Sequence, residues 1–599
     1  MKREEEKIIN TEFCVIGGGL AGVCAAISAA RRGVKVVLIQ DRPVLGGNAS
    51  GEIRMWIRGA SVSFPEYREG GILEELAMDN IFYNPRMNYS EWDGVVYNKV
   101  IAEKNITLLL NTSCVGVVEK KGKIESVTAW QLTSYTNYRI MAQYYADCSG
   151  DSIVAEFTDA KFRKGREGKK EYGESYAPEQ ADSCTMGNSC LIQARETDHF
   201  VKFKSPPFAH KFSDNEFQNR FDINNRTNFK NENFWWVEIG GEGDVVKNAE
   251  EYNRELIARA FGVWDYIKNS GRFDADNWEL DWVGFLAGKR ESRRYVGDYV
   301  LNQNDIERAQ TFPDEIAYGG WSMDDHNPLG IHTQDLPNIH YPVTAPYPIP
   351  YRCLYSANIS NLFFAGRNVS VTHMALSSTR VMATCAMMGQ AVGTACSLAV
   401  RYAISPREVG GHMEELQQSL RDDDCFLLHT PRKISEAVRT SSSNIGKDRL
   451  AGFWEGIERT IGCKDGTIVL QKGEPLEFVF SRPVQCGGIR LVFDNDISGK
   501  RYPDSQSFLK MFPNRCSYPL NGAAATMANE LTKEFRVYIL TEGQWKLLRE
   551  IADNHQRLVK IPVDRGIEGI RFVGDETYGH DEIRLYSFDI YEQTKKEES

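Results

Sequence analysis

The sequence predicts an α/β Rossmann-like domain that carries an inserted mixed α+β domain and is followed by a C-terminal all-β sandwich. Three observations predict it. A Gly-x-Gly-x-x-Gly turn lies between two short apolar runs near the start of the 599-residue chain. Residues 161–285 are enriched in Asn, Asp, Phe and Trp. From residue 431 onward, short alternating runs recur with turn residues between them, the pattern of a sandwich. The α/β domain then comprises residues 1–160 and 286–430, the insert 161–285 and the sandwich 431–599.

Phe13 to Ile16 has the composition of a buried strand, and Gly17, Gly19 and Gly22 follow it. Gly17 lets the backbone turn tightly, Gly19 lets it approach a diphosphate, and Gly22 lets the next helix pack close to the strand. That helix reads from Leu20 to Arg32 and stops at Gly33. Its N-terminus offers unpaired N–H groups and partial positive charge to an anion. A second apolar run, Val34 to Ile39, completes a unit of about 30 residues that predicts a bound dinucleotide. Where an acidic residue is expected to hold the adenosine ribose, the chain has Gln40, with Asp41 next. The second glycine pair, in Gly46-Gly47-Asn48-Ala49-Ser50, is not needed for NAD and resembles the flavoprotein pattern, in which this loop runs along FAD.

The hydrophobic content of 42% supports large globular cores, and a net charge of −11 without a basic tract argues against nucleic acid. The 13 cysteines include no C-x-x-C pair, so neither a disulfide framework nor a metal site is expected. Cys14, Cys24 and Cys385 fall in apolar elements and read as small core residues. The charged start, MKREEEKIIN, has no apolar segment of a signal peptide, and no run of 18 apolar residues occurs. A cytoplasmic protein without a membrane partner is expected.

In chain order, a helix is expected around Gly71 to Met78 and strands at Ile106–Leu110, Ser113–Val118, Ile124–Gln131 and Tyr138–Ala146, with a turn at Gly122. In the insert, Phe234-Trp235-Trp236 reads mainly as core, and Ala249 to Asn269 as a helix with one apolar face. Gly288 to Asp298 concentrates Lys289, Arg290, Arg293 and Arg294, and one or two of these cations are candidates to reach the flavin or an anionic substrate group. Tyr318 to Pro328 reads as an irregular polar loop in which His326 is a candidate acid–base residue.

Leu362 to Ala365 is a short strand ended by Gly366-Arg367, with His373 in the following loop. A long helix from Arg380 to about Tyr402 comes next, and its small residues allow close packing. This arrangement resembles the C-terminal FAD motif of glutathione-reductase-like flavoproteins.

D-R-P-x-L-G-G-N-A-S at Asp41–Ser50, G-K-R-E-S-R-R, Y-G-G-W-S-x-D-x-H at Tyr318–His326 and A-G-R-N-x-S-x-T-H at Ala365–His373 resemble the bacterial FAD-dependent oxidoreductase family, within the broader succinate dehydrogenase and fumarate reductase class. The resemblance spans roughly Glu12 to Leu427. It implies an FAD-binding fold in which the strand around Val115 offers backbone to the adenine. The Ala146–Asp151 turn approaches FAD through Asp151. The Gly366 backbone approaches the ribityl chain and phosphate, with Arg367 a further cofactor-binding residue, and the helix N-terminus near Thr379 faces the flavin pyrimidine edge. Ser152 stands where this turn more often has Gly.

The C-terminal runs, including Leu476–Ser481, Gly488–Asp494, Arg557–Pro562 and Gly569–Val573, resemble a discoidin or carbohydrate-binding-module sandwich. Glycan binding, a structural role and homo-oligomer formation are all open to it. The function expected is hydride transfer between a substrate carbon and flavin N5, with His326 or His373 moving the proton and Arg294 nearby. The sandwich and the aromatic insert point to oxidation of a sugar or glycoside alcohol, by analogy of fold. The alternatives are reduction of an unsaturated carboxylate clamped by Arg290, Arg294 and Arg367, and a glycan-binding protein whose flavin domain is structural. Beside the small-molecule substrate, an electron acceptor of unspecified kind is required.

Overall fold

The computed structural model describes residues 6–217, 220, 224–462, 464–497, 508–514 and 517–592. The charged start, residues 1–5, lies outside the described residues. The α/β region opens with β1 (Lys7–Ile16), α1 (Leu20–Arg31) and β2 (Val36–Ile39). Helices α2 (Ile72–Tyr83) and α3 (Tyr89–Ile101) lead to β3 (Ile106–Leu109), β4 (Thr112–Lys120), β5 (Lys123–Gln131) and β6 (Thr136–Asp147). The sheet order is β3-β2-β1-β6-β5-β4, with a strand at Leu362–Phe364 also pairing with β6. β1, β2, β3 and β6 run parallel, and β4-β5-β6 is an antiparallel meander. Lys121 and Gly122, at φ 52° and 72°, join β4 to β5 through a turn whose twist matches the strands. α1 is almost wholly buried, which explains why its sequence is nearly all small and apolar.

The insert has its own core, in which Phe234, Trp236, Leu256, Val263, Trp264 and Trp278 are buried. It is organised by β7 (Ile192–Glu196), α4 (Ala249–Asn269) and β8 (Trp278–Val283), with β7 and β8 antiparallel. The chain then returns to the α/β core. His373 does not lie in a loop: it is the first residue of α5 (His373–Thr379), capped by the Thr372 hydroxyl, which accepts from Ala375 N–H at 3.2 Å. The long helix α6 (Met382–Tyr402) begins two residues later than the sequence suggests, after an extended Val381. By length and composition α6 could cross a membrane, yet it is buried inside the protein. Its small residues bring it onto α1: a Cβ on Gly389 would come within 2.0 Å of the Ala21 carbonyl, and one on Gly393 within 2.2 Å of that of Ala25.

The C-terminal region comprises β9 (Ile468–Gln471), β10 (Pro475–Phe493), β11 (Ser517–Tyr518), β12 (Thr532–Thr541), β13 (Gln544–Ile551), β14 (Leu558–Thr577) and β15 (Glu582–Glu592). Two pairs of expected short strands are single long strands, β10 and β14. Both are interrupted by register shifts, one between Val479 and Val484, beside exposed residues such as Pro483 and Asp564. The exposed kinks bend strands that stay paired on both sides of the shift, and made each strand read as two. Phe478, Phe493, Phe535, Phe572 and Phe588 fill the space between the layers. This core is continuous with that of the α/β region.

Buried arginines join the two regions. Arg490 of β10 is bidentate to Glu458 at 2.6 and 2.9 Å and also donates to the Arg421 and Asp422 carbonyls. Arg557 pairs with Asp424 at 2.7 Å, and Arg432 with Asp422 at 2.7 Å.

Candidate active site

A cleft of about 740 Å³ runs from the glycine turns of the α/β core to the insert. At the turn end, Gly17 takes φ +104°, and a Cβ there would meet the Cys148 carbonyl at 2.5 Å. Gly22 is tighter still, its hypothetical Cβ lying 1.8 Å from the Gly17 oxygen. A Cβ on Gly19 would find nothing nearer than the Gly47 Cα at 3.8 Å, so bare backbone faces the cleft at this point. Gly46 N–H donates to the Gly18 carbonyl at 2.8 Å, which ties the second glycine pair to the first. Asn48 is held by the Lys289 carbonyl at 2.9 Å.

Gln40 lines the cleft, but its amide serves the protein. Its Oε1 accepts from Gly18 N–H at 2.7 Å, and its Nε2 donates to the Val44 carbonyl at 3.1 Å. A neutral side chain that both accepts and donates suits this position, and the neighbouring Asp41 keeps its carboxylate largely exposed at the cleft. Ser50 is fully buried and does not line the cleft. Val115 is 49% exposed and also lies off the cleft; Thr112, Ser113 and Cys114 line it instead, because β4 turns the next residue outward.

Asp151 receives Arg367 at 2.7 Å, the Ser292 hydroxyl at 2.8 Å and the Lys289 ammonium. Burial opposes its ionisation, but Arg367 and Lys289 hold its carboxyl well below the ordinary range. Ser152 takes the left-handed φ of 52°, which is why glycine is more usual there. Gly366, at φ +111°, and Arg367 line the cleft opposite the first glycine turn. Arg367 Nε is buried without a partner, a donor left over for a bound group. Val381 and Met382 bring the α6 N-terminus to the cleft. Thr379 does not line it; its hydroxyl is buried at the end of α5 because the helix breaks before α6 begins.

At the insert end, charges alternate along the wall. Arg290 pairs with Glu238 at 3.2 Å, and Glu238 lies 2.7 Å from His326 Nδ1. His326 Nε2 lies 3.2 Å from Asp324, which also accepts from Arg380 at 3.1 Å. Burial raises the cost of both carboxylates, but Arg290 and His326 hold Glu238 ionised, and His326 and Arg380 hold Asp324 ionised. His326 is not in an irregular loop: it ends the strand Met323–His326, which pairs with Asn338–Tyr341. Trp235 meets its ring edge-on at 5.1 Å, while Phe234 and Trp236 on either side are core. His340, Asn338 and Trp321 complete this part of the wall, and Asn338 donates to Asp324 at 2.5 Å and to His340 at 2.9 Å.

His373 and Arg294 lie elsewhere. Glu291 binds both, and Glu167 accepts from Arg294 at 2.8 Å and from His373 N–H at 2.8 Å. His373 Nε2 also meets Asp325 at 3.0 Å. Burial alone would push the His373 pKa down, but Glu291 and Asp325 raise it to about 10. Neither His373 nor Arg294 lines the cleft, so neither reaches a molecule held there. They brace α5 against the strand Arg293–Tyr295. The sequence reading missed Trp56, Arg58, His340 and Arg380. The Trp-x-Arg spacing at Trp56-Ile57-Arg58, an aromatic and a cation pointing the same way from an extended segment, was the one available signal.

The model of the family described as FAD dependent oxidoreductase matches residues 12–420. The chain belongs to this family. It is an enzyme, an FAD-dependent oxidoreductase, and its cofactor is FAD. No curated protein matches the chain. Among solved structures, it is similar to a geranylgeranyl bacteriochlorophyll reductase-like protein from Thermoplasma acidophilum, at 11% identity over 69% of this chain and 86% of that one, with a TM-score of 0.30. It is similar to E. coli quinol fumarate reductase FrdA, at 11% identity over 69% and 75%, with a TM-score of 0.27. It is also similar to the family 32 carbohydrate-binding module of Streptococcus pneumoniae EndoD, at 18% identity over 26% and 100%, with a TM-score of 0.20. The residues present fit FAD: side-chain-free backbone at Gly19 and Gly47 for the diphosphate, and the Arg367 donor and the α6 N-terminus further along the cleft.

Proposed function

We propose that the enzyme oxidises an alcohol of a sugar or glycoside to the carbonyl, with His326 as the proton acceptor. When bound, FAD supplies the acceptor for the hydride. The observation that carries this reading is the position of His326, on the cleft wall with Nδ1 held by Glu238. In this reading Nε2 takes the hydroxyl proton in exchange for its 3.2 Å contact with Asp324, and Glu238 stabilises the imidazolium at Nδ1. Trp235 and Trp321 offer flat apolar faces to a ring, while Asn233 and Asn338 offer amides to its hydroxyls. The carboxylate clamp expected from Arg290, Arg294 and Arg367 is weakly supported, since all three are engaged with protein partners.

Anaerobic bleaching of the flavin by a panel of sugars and glycosides tests the reading. His326→Gln keeps its FAD and bleaches at least ~10²-fold more slowly, the usual worth of a positioned base. Yellow protein that no sugar bleaches refutes the sugar substrate, and a variant that bleaches at the wild-type rate refutes the role of His326.

A further inference from the structure

The cations lining the cleft differ in one respect. Arg42 faces Asp41 and Glu52, each at 3.6 Å, and Lys289 and Arg367 share Asp151. Arg290 pairs with Glu238, Arg293 with Glu156, and Arg380 with Asp324. Among the described residues that line the cleft, Arg58 is the one arginine or lysine with no carboxylate partner.

Its position is nevertheless built. The guanidinium lies over the Trp56 ring at 4.8 Å, a cation–π contact. Its own carbonyl accepts from Ala383 N–H at 3.0 Å, so it sits beside the first turn of α6, the positive end of a 21-residue helix. Burial pushes its pKa down, the mark of a cation short of compensation. A half-buried guanidinium with no counter-charge is costly, and a ligand anion offsets that cost. The diphosphate of FAD has its own site at the α1 N-terminus.

We propose that Arg58 anchors a carboxylate of the substrate, so that the sugar or glycoside oxidised is an acidic one, of the uronate class. The inference rests on the sugar-oxidising reading above. One planar fork with one uncompensated charge matches a carboxylate by two parallel N–H bonds. A phosphate, carrying nearly two charges, would ask for a second free cation, and the others in the cleft are paired.

Full-length FAD-loaded protein is compared with Arg58→Gln and Arg58→Lys. Two readouts are used: anaerobic flavin bleaching by methyl glucuronide and methyl glucoside, and tryptophan fluorescence titrated with glucuronate, glucose and succinate. Wild type is expected to prefer the glucuronide by ~10- to 100-fold in kcat/KM, the effect of one charge-assisted contact. In Arg58→Gln the ratio falls towards one with FAD content intact, and Arg58→Lys recovers part of it. Equal bleaching of wild type by both glycosides, or loss of FAD from Arg58→Gln, overturns the anchor. The two readings fail separately. Succinate binding that depends on Arg58, with no bleaching by either glycoside, keeps the anchor and sinks the sugar. Bleaching by the glucoside with no tighter binding of the acids does the reverse.

Discussion

A side chain on residue 22 would place its Cβ 1.8 Å from the carbonyl oxygen of Gly17. The turn that meets the dinucleotide therefore exists only while α1 has no Cβ at this point. Gly22→Ala is expected to abolish FAD binding, read as loss of the flavin absorbance relative to protein. Gly410→Ala, where a Cβ meets nothing within 4 Å, keeps it.

His373 ties protonation to stability. Burial lowers its pKa, and Glu291 and Asp325 reverse this, raising it to about 10. The folded protein thus holds a proton that the unfolded chain releases near 6.5. The stabilisation is complete below that value, declines above it, and is lost as the pH rises through about 10. Melting temperature should fall across this window in wild type and fall less in His373→Asn, which starts lower at pH 6.

Glu69 behaves in the opposite chemical sense but with the same slope. Burial pushes its pKa up to about 7, against the Ala60 N–H that it accepts at 2.6 Å. The folded state binds a proton that the unfolded state has lost, so stability declines as the pH rises from 4.5 through 7. Glu69→Gln keeps the acceptor for Ala60 and removes the charge. At pH 8 it should stabilise the protein by on the order of 2 kcal/mol in chemical denaturation, with little gain at pH 5.

Arg490→Met leaves Glu458 without its bidentate partner inside the junction between sandwich and α/β core. Breaking a buried pair from one side costs about 3–5 kcal/mol. The double variant Arg490→Met/Glu458→Gln should regain part of that loss, and an additive double-mutant cycle would show that the pair is not coupled.

The strands and helix of the first dinucleotide unit were legible because glycine spacing and an all-apolar helix leave few alternatives. The 21 residues of α4 were legible because its apolar face repeats at helical spacing. The roles of His373 and Arg294 were not. A histidine after A-G-R-N-x-S-x-T looks the same in sequence whether it faces a cleft or is held between Glu291 and Asp325, and those carboxylates are 82 and 48 positions away. That Gln40 also accepts from the Gly18 N–H was not legible, because a backbone group is displayed by no residue pattern. The bent strands β10 and β14 were each divided in two because an exposed kink and a turn have the same composition.

Ser517 and Tyr518 of the sandwich region pair in parallel with Ala194 and Arg195 of β7, and so extend the insert's own sheet by one strand. The insert is therefore attached to the remainder of the molecule along a closed circuit: through its covalent ends on one side and through a hydrogen-bonded edge on the other. A body fixed at two separated points does not swing on a single hinge. A second attachment of this kind opposes rotation of the insert about its covalent ends, and with it widening of the cleft.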